Sequence, residues 1–118
     1  MATYTFDTDL VFETSVDGTV YGKFDEDKDD VACDEFTGLQ LVEVATGVSD
    51  QALSLGGLTT AYSVALITDQ VVTLKLNGGS ETLTLRANEP ILLPTITAIT
   101  VSNSSGSTAH IKYIAAGT

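Results

Sequence analysis

Residues 71–113 have the sequence VVTLKLNGGSETLTLRANEPILLPTITAITVSNSSGSTAHIKY, which contains the clearest alternation of apolar and polar side chains in the chain. In its first part, leucine and valine alternate with threonine and lysine on both sides of a Gly-Gly pair. Successive side chains of a β-strand point to opposite faces, and glycine adopts the positive φ angles of tight turns without steric cost. The pattern predicts a β-hairpin in which Leu74 pairs with Leu83 and Val72 pairs with Leu85.

A second hairpin is predicted around residues 103–107. Pairing Ile99 with Ile111 collects apolar side chains on one face, and the same register places Ile96 beside Ile114 on the opposite face. These two outward isoleucines are either covered within the sandwich or contact another subunit, and the pattern favours neither alternative. The predicted core of the two hairpins consists of Leu74, Leu76, Leu83, Leu85, Ile99, Val101 and Ile111.

The rest of the chain also favours strands. Residues 3–7, 10–14 and 39–44 have strand-like composition, and residues 63–68 are apolar on both faces, as expected of a central strand. No segment shows sustained helical periodicity. The expected fold is therefore all-β: a single-domain antiparallel β-sandwich, jelly-roll-like, that spans residues 1–118.

Charge restricts the partners. The chain has 118 residues, enough for one domain with its own core, and it carries 16 acidic and five basic residues, for a net charge of −11. Such a surface repels nucleic-acid phosphates and anionic lipids, so we expect neither nucleic acid nor membrane as a partner. A single cysteine suits a reducing cytosol, and neither a secretory signal nor a membrane-spanning apolar run is visible.

Seven of the acidic residues lie within residues 25–35, for which we predict an acidic surface loop. Asp25, Asp27 and Asp29 alternate as in the first half of an EF-hand loop and form a weak calcium candidate. However, Asp30 stands where that loop needs glycine, and Phe36 stands where it needs a bidentate glutamate. We therefore expect a solvated loop that binds no metal tightly, with an irregular calcium site as the alternative.

Catalytic constellations are not evident in the sequence. Cys33 and His110 form the one candidate thiol–imidazole pair, yet neighbouring carboxylates raise the pKa of a thiol, and no third orienting group is marked. The acidic residues cluster in one segment and do not flank a cleft as glycosidase carboxylates do. The glycine pairs lack the lysine of a phosphate-binding loop. We expect a protein that is not an enzyme and needs no cofactor.

Four segments of the C-terminal half occur in a characteristic order: VTLKLNG at 72–78, EPILLP at 89–94, ITAITVSN at 96–103 and AHIKY at 109–113. In this order they resemble small β-barrel or jelly-roll modules in the virion proteins of tailed bacteriophages. The resemblance implies a structural role as a capsid decoration protein, a head–tail connector, or a tail or fibre subunit. It also implies self-association, as a trimer by analogy, and it implies no catalytic residues.

Strong acidity disfavours a position against packaged DNA and favours the outside of the shell. The expected role is therefore a capsid decoration (cement) protein that binds the major capsid protein or another virion protein. It would be made in the host cytoplasm and located in the virion. The first alternative is a tail, neck or fibre structural subunit. The second is a glycan- or ligand-binding β module, in which tyrosines would replace the missing tryptophan as a stacking platform.

Overall fold

The computed structural model describes the backbone of residues 4–33 and 35–118, and the side chains of residues 17–18 and 36–118. This part of the chain contains no helix, and hence none that is long and apolar enough to span a membrane. The chain divides into two compact units, Met1–Cys33 and Asp34–Thr118, where the sequence predicts one domain. The strands are β1 Tyr4–Val16, β2 Thr19–Cys33, β3 Glu35–Phe36, β4 Gln40–Val44, β5 Gln51–Ala52, β6 Ala61–Thr68, β7 Val72–Leu76, β8 Leu83–Leu85, β9 Ile91–Ile96, β10 Ile99–Ser102 and β11 Ala109–Gly117.

The first unit is an antiparallel hairpin of β1 and β2. Asp17 and Gly18 both have positive φ angles, 50° and 79°, as a type I′ hairpin turn requires. Pairing continues through the acidic segment to the Tyr4–Cys33 pair, so residues 25–33 lie in β2 and the predicted loop at 25–35 is wrong there. A strand pair forms through backbone hydrogen bonds, and these do not require the side chains to be apolar. Residue 34 lies outside the described residues.

The second unit is a sandwich of two antiparallel sheets, which confirms the predicted all-β sandwich class. A four-stranded sheet has the order β5-β10-β7-β8. In the five-stranded sheet the order is β3-β11-β6-β9, and β4 pairs with β11 on the same side as β3. One hydrophobic cluster lies between the sheets; its largest fully buried apolar side chains are Tyr113, Leu74, Ile96, Ile99, Ile111, Val44, Val64, Val72 and Val101.

The predicted β7–β8 hairpin is confirmed in its register. Val72 pairs with Leu85 and Leu74 with Leu83, and the turn begins at Asn77 with a φ of 58°. Leu83 does not belong to the core, however, because its side chain is 42% exposed in the three-residue edge strand β8. Leu76 is half-buried, whereas the other five predicted core residues of the two hairpins are buried.

The predicted second hairpin does not form. β10 pairs with β5 and β7, whereas β11 pairs with β3, β4 and β6 in the other sheet. The connection at 103–108 therefore crosses between the sheets. Asn103 holds this crossing from inside: its Nδ2 donates to the carbonyls of Val44 and Ser107, and its Oδ1 accepts from the Ser105 backbone N–H. Alternating apolar residues on β10 and β11 thus face each other across the core and do not pair side by side.

β6 is central, as predicted, because it lies between β11 and β9. Only its inner residues are fully covered, since Val64 and Leu66 are buried while Ala65 is exposed. β9 continues through Pro94. Proline lacks the N–H that a further strand would need, and β9 tolerates it because it is an edge strand.

Candidate functional site

The five-stranded sheet has an outer face, directed away from the core, that is rich in exposed apolar residues. Its middle row is formed by Ile114 of β11, Ala65 of β6 and Leu92 of β9, which are paired through the backbone in that order. All three side chains are exposed, and Ile114 is 44% accessible. Because neighbouring strands lie about 4.8 Å apart, these side chains form a continuous apolar band across three strands.

A second row runs parallel to the first and contains one cation. Lys112 of β11 pairs with Leu41 of β4 on one side and with Ile67 of β6 on the other. Leu41 is 71% exposed and Leu39, just before β4, is 64% exposed; these are the largest exposures among the described large apolar residues. Within the described part of the chain, Lys112 makes no ion pair.

As a whole, the outer face is about as large as the largest apolar patch of an ordinary monomer. Four adjacent strand positions, each about seven residues long, span roughly 400 Å². The largest apolar patches on ordinary monomers measure about 300–600 Å² and are often functional. Two open grooves mark this face: one of about 250 Å³ beside Pro90 and Ile114, and one of about 620 Å³ beside Leu41 and His110. The outer face therefore has both grooves and exposed apolar side chains that a partner protein could contact.

His110 lies at one end of the outer face between two carboxylates. Its Nδ1 is 2.8 Å from Asp69 Oδ2, and its Nε2 is 3.4 Å from Glu43 Oε1. Asp69 Oδ1 also accepts a 2.7 Å hydrogen bond from the backbone N–H of His110. The side-chain hydrogen bond that Asp69 accepts from the imidazole raises the pKa of His110. The hydrogen bond that Asp69 accepts from the backbone N–H of His110 lowers the pKa of Asp69.

This arrangement favours the imidazolium form and occupies both ring nitrogens. Such a ring is a poor general base, because a base must present a free nitrogen lone pair to its substrate. The Glu43–His110–Asp69 cluster instead joins β4, β11 and the turn after β6. We call these three side chains, Glu43, His110 and Asp69, the polar clamp; they lie at one end of the outer face.

The structure separates the two predicted interface residues. Ile114 points outward, as predicted, and lies on the outer face. Ile96 pairs with Ala61 and is 2% exposed, so the prediction that it points outward is wrong. The error follows from the hairpin register that placed Ile96 beside Ile114, since β10 and β11 lie in different sheets.

The calcium candidate Asp25, Asp27 and Asp29 lies in β2. Asp25 and Asp27 pair regularly with β1, and such alternate residues of an extended strand are about 6.6 Å apart along a line, whereas an EF-hand loop wraps its oxygens around one ion. Asp29 lies at a register shift of this pairing, between Lys28 and Val31. A search of the described side chains finds no group of three His, Cys, Asp or Glu residues able to hold a metal. The candidate's carboxylates lie outside those side chains, as does the Cys33 thiol.

Sequence reasoning missed most of the outer face. The alternation in QLVEV of β4 places Leu41 and Glu43 on the same side, which could have indicated an exposed leucine. Asp69 and His110 are 41 residues apart, and no local pattern joins them.

No family model and no curated protein matches the chain. Among solved structures, the chain is similar to the cupin domain of Cnp3 from Schizosaccharomyces pombe, with a TM-score of 0.51 and 9% sequence identity. The similarity covers 98% of this chain and 86% of that chain. At this identity the likeness bears on the fold alone. With the two antiparallel sheets, it identifies the chain as an all-β, jelly-roll-like protein.

Proposed function

We propose that this protein is a non-enzymatic structural component of a tailed-phage virion, a decoration protein that binds the outer surface of the capsid shell. Its partner would be the major capsid protein or another virion protein. The observation that carries the proposal is the outer face, a broad apolar surface with its polar clamp at one end. Such a surface suits protein–protein attachment better than chemistry on a small substrate.

Burial of the outer face would supply binding free energy. Complete burial of a leucine or isoleucine side chain is worth about 1.5–3 kcal/mol, and Ile114 and Leu92 are each a little under half exposed. Each would therefore contribute roughly 1 kcal/mol in a covered interface. Lys112 would add specificity, because it prefers a partner with a carboxylate at the matching position.

The distribution of charge supports a place outside the shell. Residues 1–33 contain nine of the 16 acidic residues and two of the five basic residues. Acidity is therefore concentrated in the hairpin unit, and the sandwich unit that carries the outer face is less charged. A strongly acidic segment is repelled by packaged DNA but remains well hydrated on an exterior surface.

Attachment of this kind depends on avidity. Each copy makes a modest contact, and linked copies bind more tightly because the second contact becomes intramolecular. We therefore include self-association in the proposal. The single-copy contact would be weak and the assembled contact strong.

Pelleting with undecorated capsids tests the proposal. The wild-type protein should sediment with the shells, and Ile114→Asp should sediment about tenfold less, because it places a charge in the covered interface. Val71→Asp is the matched control, since Val71 is comparably exposed but precedes β7 in the other sheet. It should sediment like the wild type.

A wild-type protein that stays in the supernatant with every shell offered would contradict the decoration role. In that case, co-sedimentation with purified tails or necks would support the tail-subunit alternative. Equal sedimentation of Ile114→Asp and Val71→Asp would instead show that another surface makes the contact.

A further inference from the structure

We propose that two copies of this chain pair edge to edge through β4, antiparallel, so that their five-stranded sheets form one continuous sheet. The proposal goes beyond attachment to a shell, because it assigns a particular strand to self-association. It rests on the geometry of the sandwich unit alone. The partner is a second copy of the same chain.

β4 is the unguarded edge of the sandwich. Edge strands are normally protected by proline, by lysine, by bulges or by being very short, because their unpaired backbone groups can bind another strand. β9 contains Pro94; β3 and β5 have two residues each, and β8 has three. β4 has five residues and contains no proline, lysine or bulge; its one charged residue is Glu43, and within the sandwich unit only β11 pairs with it.

The apolar side chains along this edge are also exposed to solvent. Leu41 lies in β4 and Leu39 immediately precedes it, and no other large apolar residues of the described side chains are as exposed. The one charged residue of β4, Glu43, is directed to His110 of the same sheet. The edge therefore combines a backbone that pairs with no second strand of the sandwich unit with exposed apolar side chains, the combination that strand addition uses.

A strand that pairs with itself must be compatible with its own sequence read backwards. Antiparallel pairing centred on Leu41 places Leu41 opposite its copy, Gln40 opposite Val42, and Leu39 opposite Glu43. No like charges face each other in this register, and two apolar side chains meet at the two-fold axis. The alternative centred on Glu43 would oppose two carboxylates and is disfavoured.

The dimer should be weak and concentration-dependent. A contact of one short strand and two leucines per copy is small beside the roughly 1,600 Å² of a standard interface. The pairing is two-fold, so β4 by itself yields a dimer. A trimer would require a different contact.

Sedimentation velocity on the full chain from about 5 to about 500 µM tests the pairing, since self-association follows protomer concentration. The wild type should shift from monomer to dimer across this range. Leu41→Lys should weaken the association at least about tenfold, because it sets two ammonium groups opposite each other. Val71→Lys, an exposed apolar position outside the five-stranded sheet, should behave like the wild type.

A cysteine placed at the two-fold axis locates the contact. Directly opposite residues of an antiparallel pair have Cα atoms about 4.5–5.5 Å apart, within the range that a disulfide spans. In a Cys33→Ser background, Leu41→Cys should oxidise to a covalent dimer. Leu92→Cys, on the opposite edge of the same sheet, should remain a monomer on a denaturing gel.

A strict monomer at about 500 µM, a trimer, or a dimer that Leu41→Lys leaves intact would each overturn the proposal. Failure here is distinguishable from failure of the proposed function. A monomer that still sediments with capsids would overturn β4 pairing and leave the decoration role standing. A β4 dimer that sediments with no shell would do the reverse.

Discussion

His110 shows how one exposed side chain can connect three elements. Asp69 follows β6, Glu43 lies in β4, and the imidazole of β11 reaches both. Asn103 also connects separate segments, but in the interior. Its side-chain amide makes hydrogen bonds to three backbone groups around the connection between β10 and β11. Both side chains act over sequence separations that local patterns do not capture. Residue types alone therefore indicated neither role.

The His110–Asp69 pair predicts a pH dependence of stability. The pKa of His110 is raised in the folded protein, so its contribution is present below about pH 6.5 and is lost as pH rises through the folded value. The pKa of Asp69 is lowered, so its contribution is present above about pH 4 and is lost as pH falls through the folded value. The pair should therefore stabilise most between about pH 4 and pH 6.5.

Urea unfolding of wild type and His110→Gln at about pH 5.5 and pH 8.5 checks this expectation. The stability difference between the two proteins should be larger at the lower pH. Lys112→Gln, on the same strand but outside the clamp, should show no such change. A difference that grows toward alkaline pH would contradict the assigned ion pair.

At the scale of elements, the alternation of apolar and polar residues predicted the strands and the register of the β7–β8 hairpin. The β7–β8 hairpin has its predicted pairs because a tight turn joins its strands, and the turn sets the register. β10 and β11 carry the same kind of alternation, and their connection at 103–108 is as long as the one at 77–82. It nevertheless crosses to the other sheet around Asn103, whose side chain bonds to the backbone of Val44, Ser105 and Ser107. The apolar side chains of a strand can be buried against a strand of the same sheet or against the other sheet across the core, and alternation does not distinguish the two. For this reason the pairing of β10 and β11, and with it the position of Ile96, could not be derived from pattern.

The hairpin offers a matched pair of substitutions. Leu85→Ala should lower the free energy of unfolding by about 2–5 kcal/mol, because Leu85 is buried between the sheets. Leu83→Ala, two residues earlier in the same strand, should cost about 1 kcal/mol or less, because Leu83 is largely exposed. Chemical denaturation of both variants measures the difference. Equal losses would mean that β8 does not pack as described.

For the whole molecule, composition indicated the fold class and the uneven charge, and the all-β, jelly-roll-like sandwich is confirmed. The strand at residues 25–33 was missed, since the acidic segment has the composition of a loop and yet pairs as a strand. Much of the outer face was missed too. It becomes visible only once four strands are aligned, because its members come from widely separated parts of the chain.

Calcium titration tests the acidic segment at this scale. We expect no tight binding, because the backbone of β2 is extended where an EF-hand loop would curve around the ion. Isothermal titration of the full chain should show no binding tighter than about 10⁻⁵ M. A tighter site that Asp27→Asn abolishes would contradict the expectation and restore the calcium alternative.

The central claim is that this protein attaches to a capsid shell through a non-catalytic sheet face. The most direct measurement is a pelleting isotherm, in which increasing protein is sedimented with a constant amount of undecorated shells. We expect saturable binding at a defined number of copies per shell, which Ile114→Asp weakens and Val71→Asp leaves unchanged. Protein that remains in the supernatant at every concentration would contradict it.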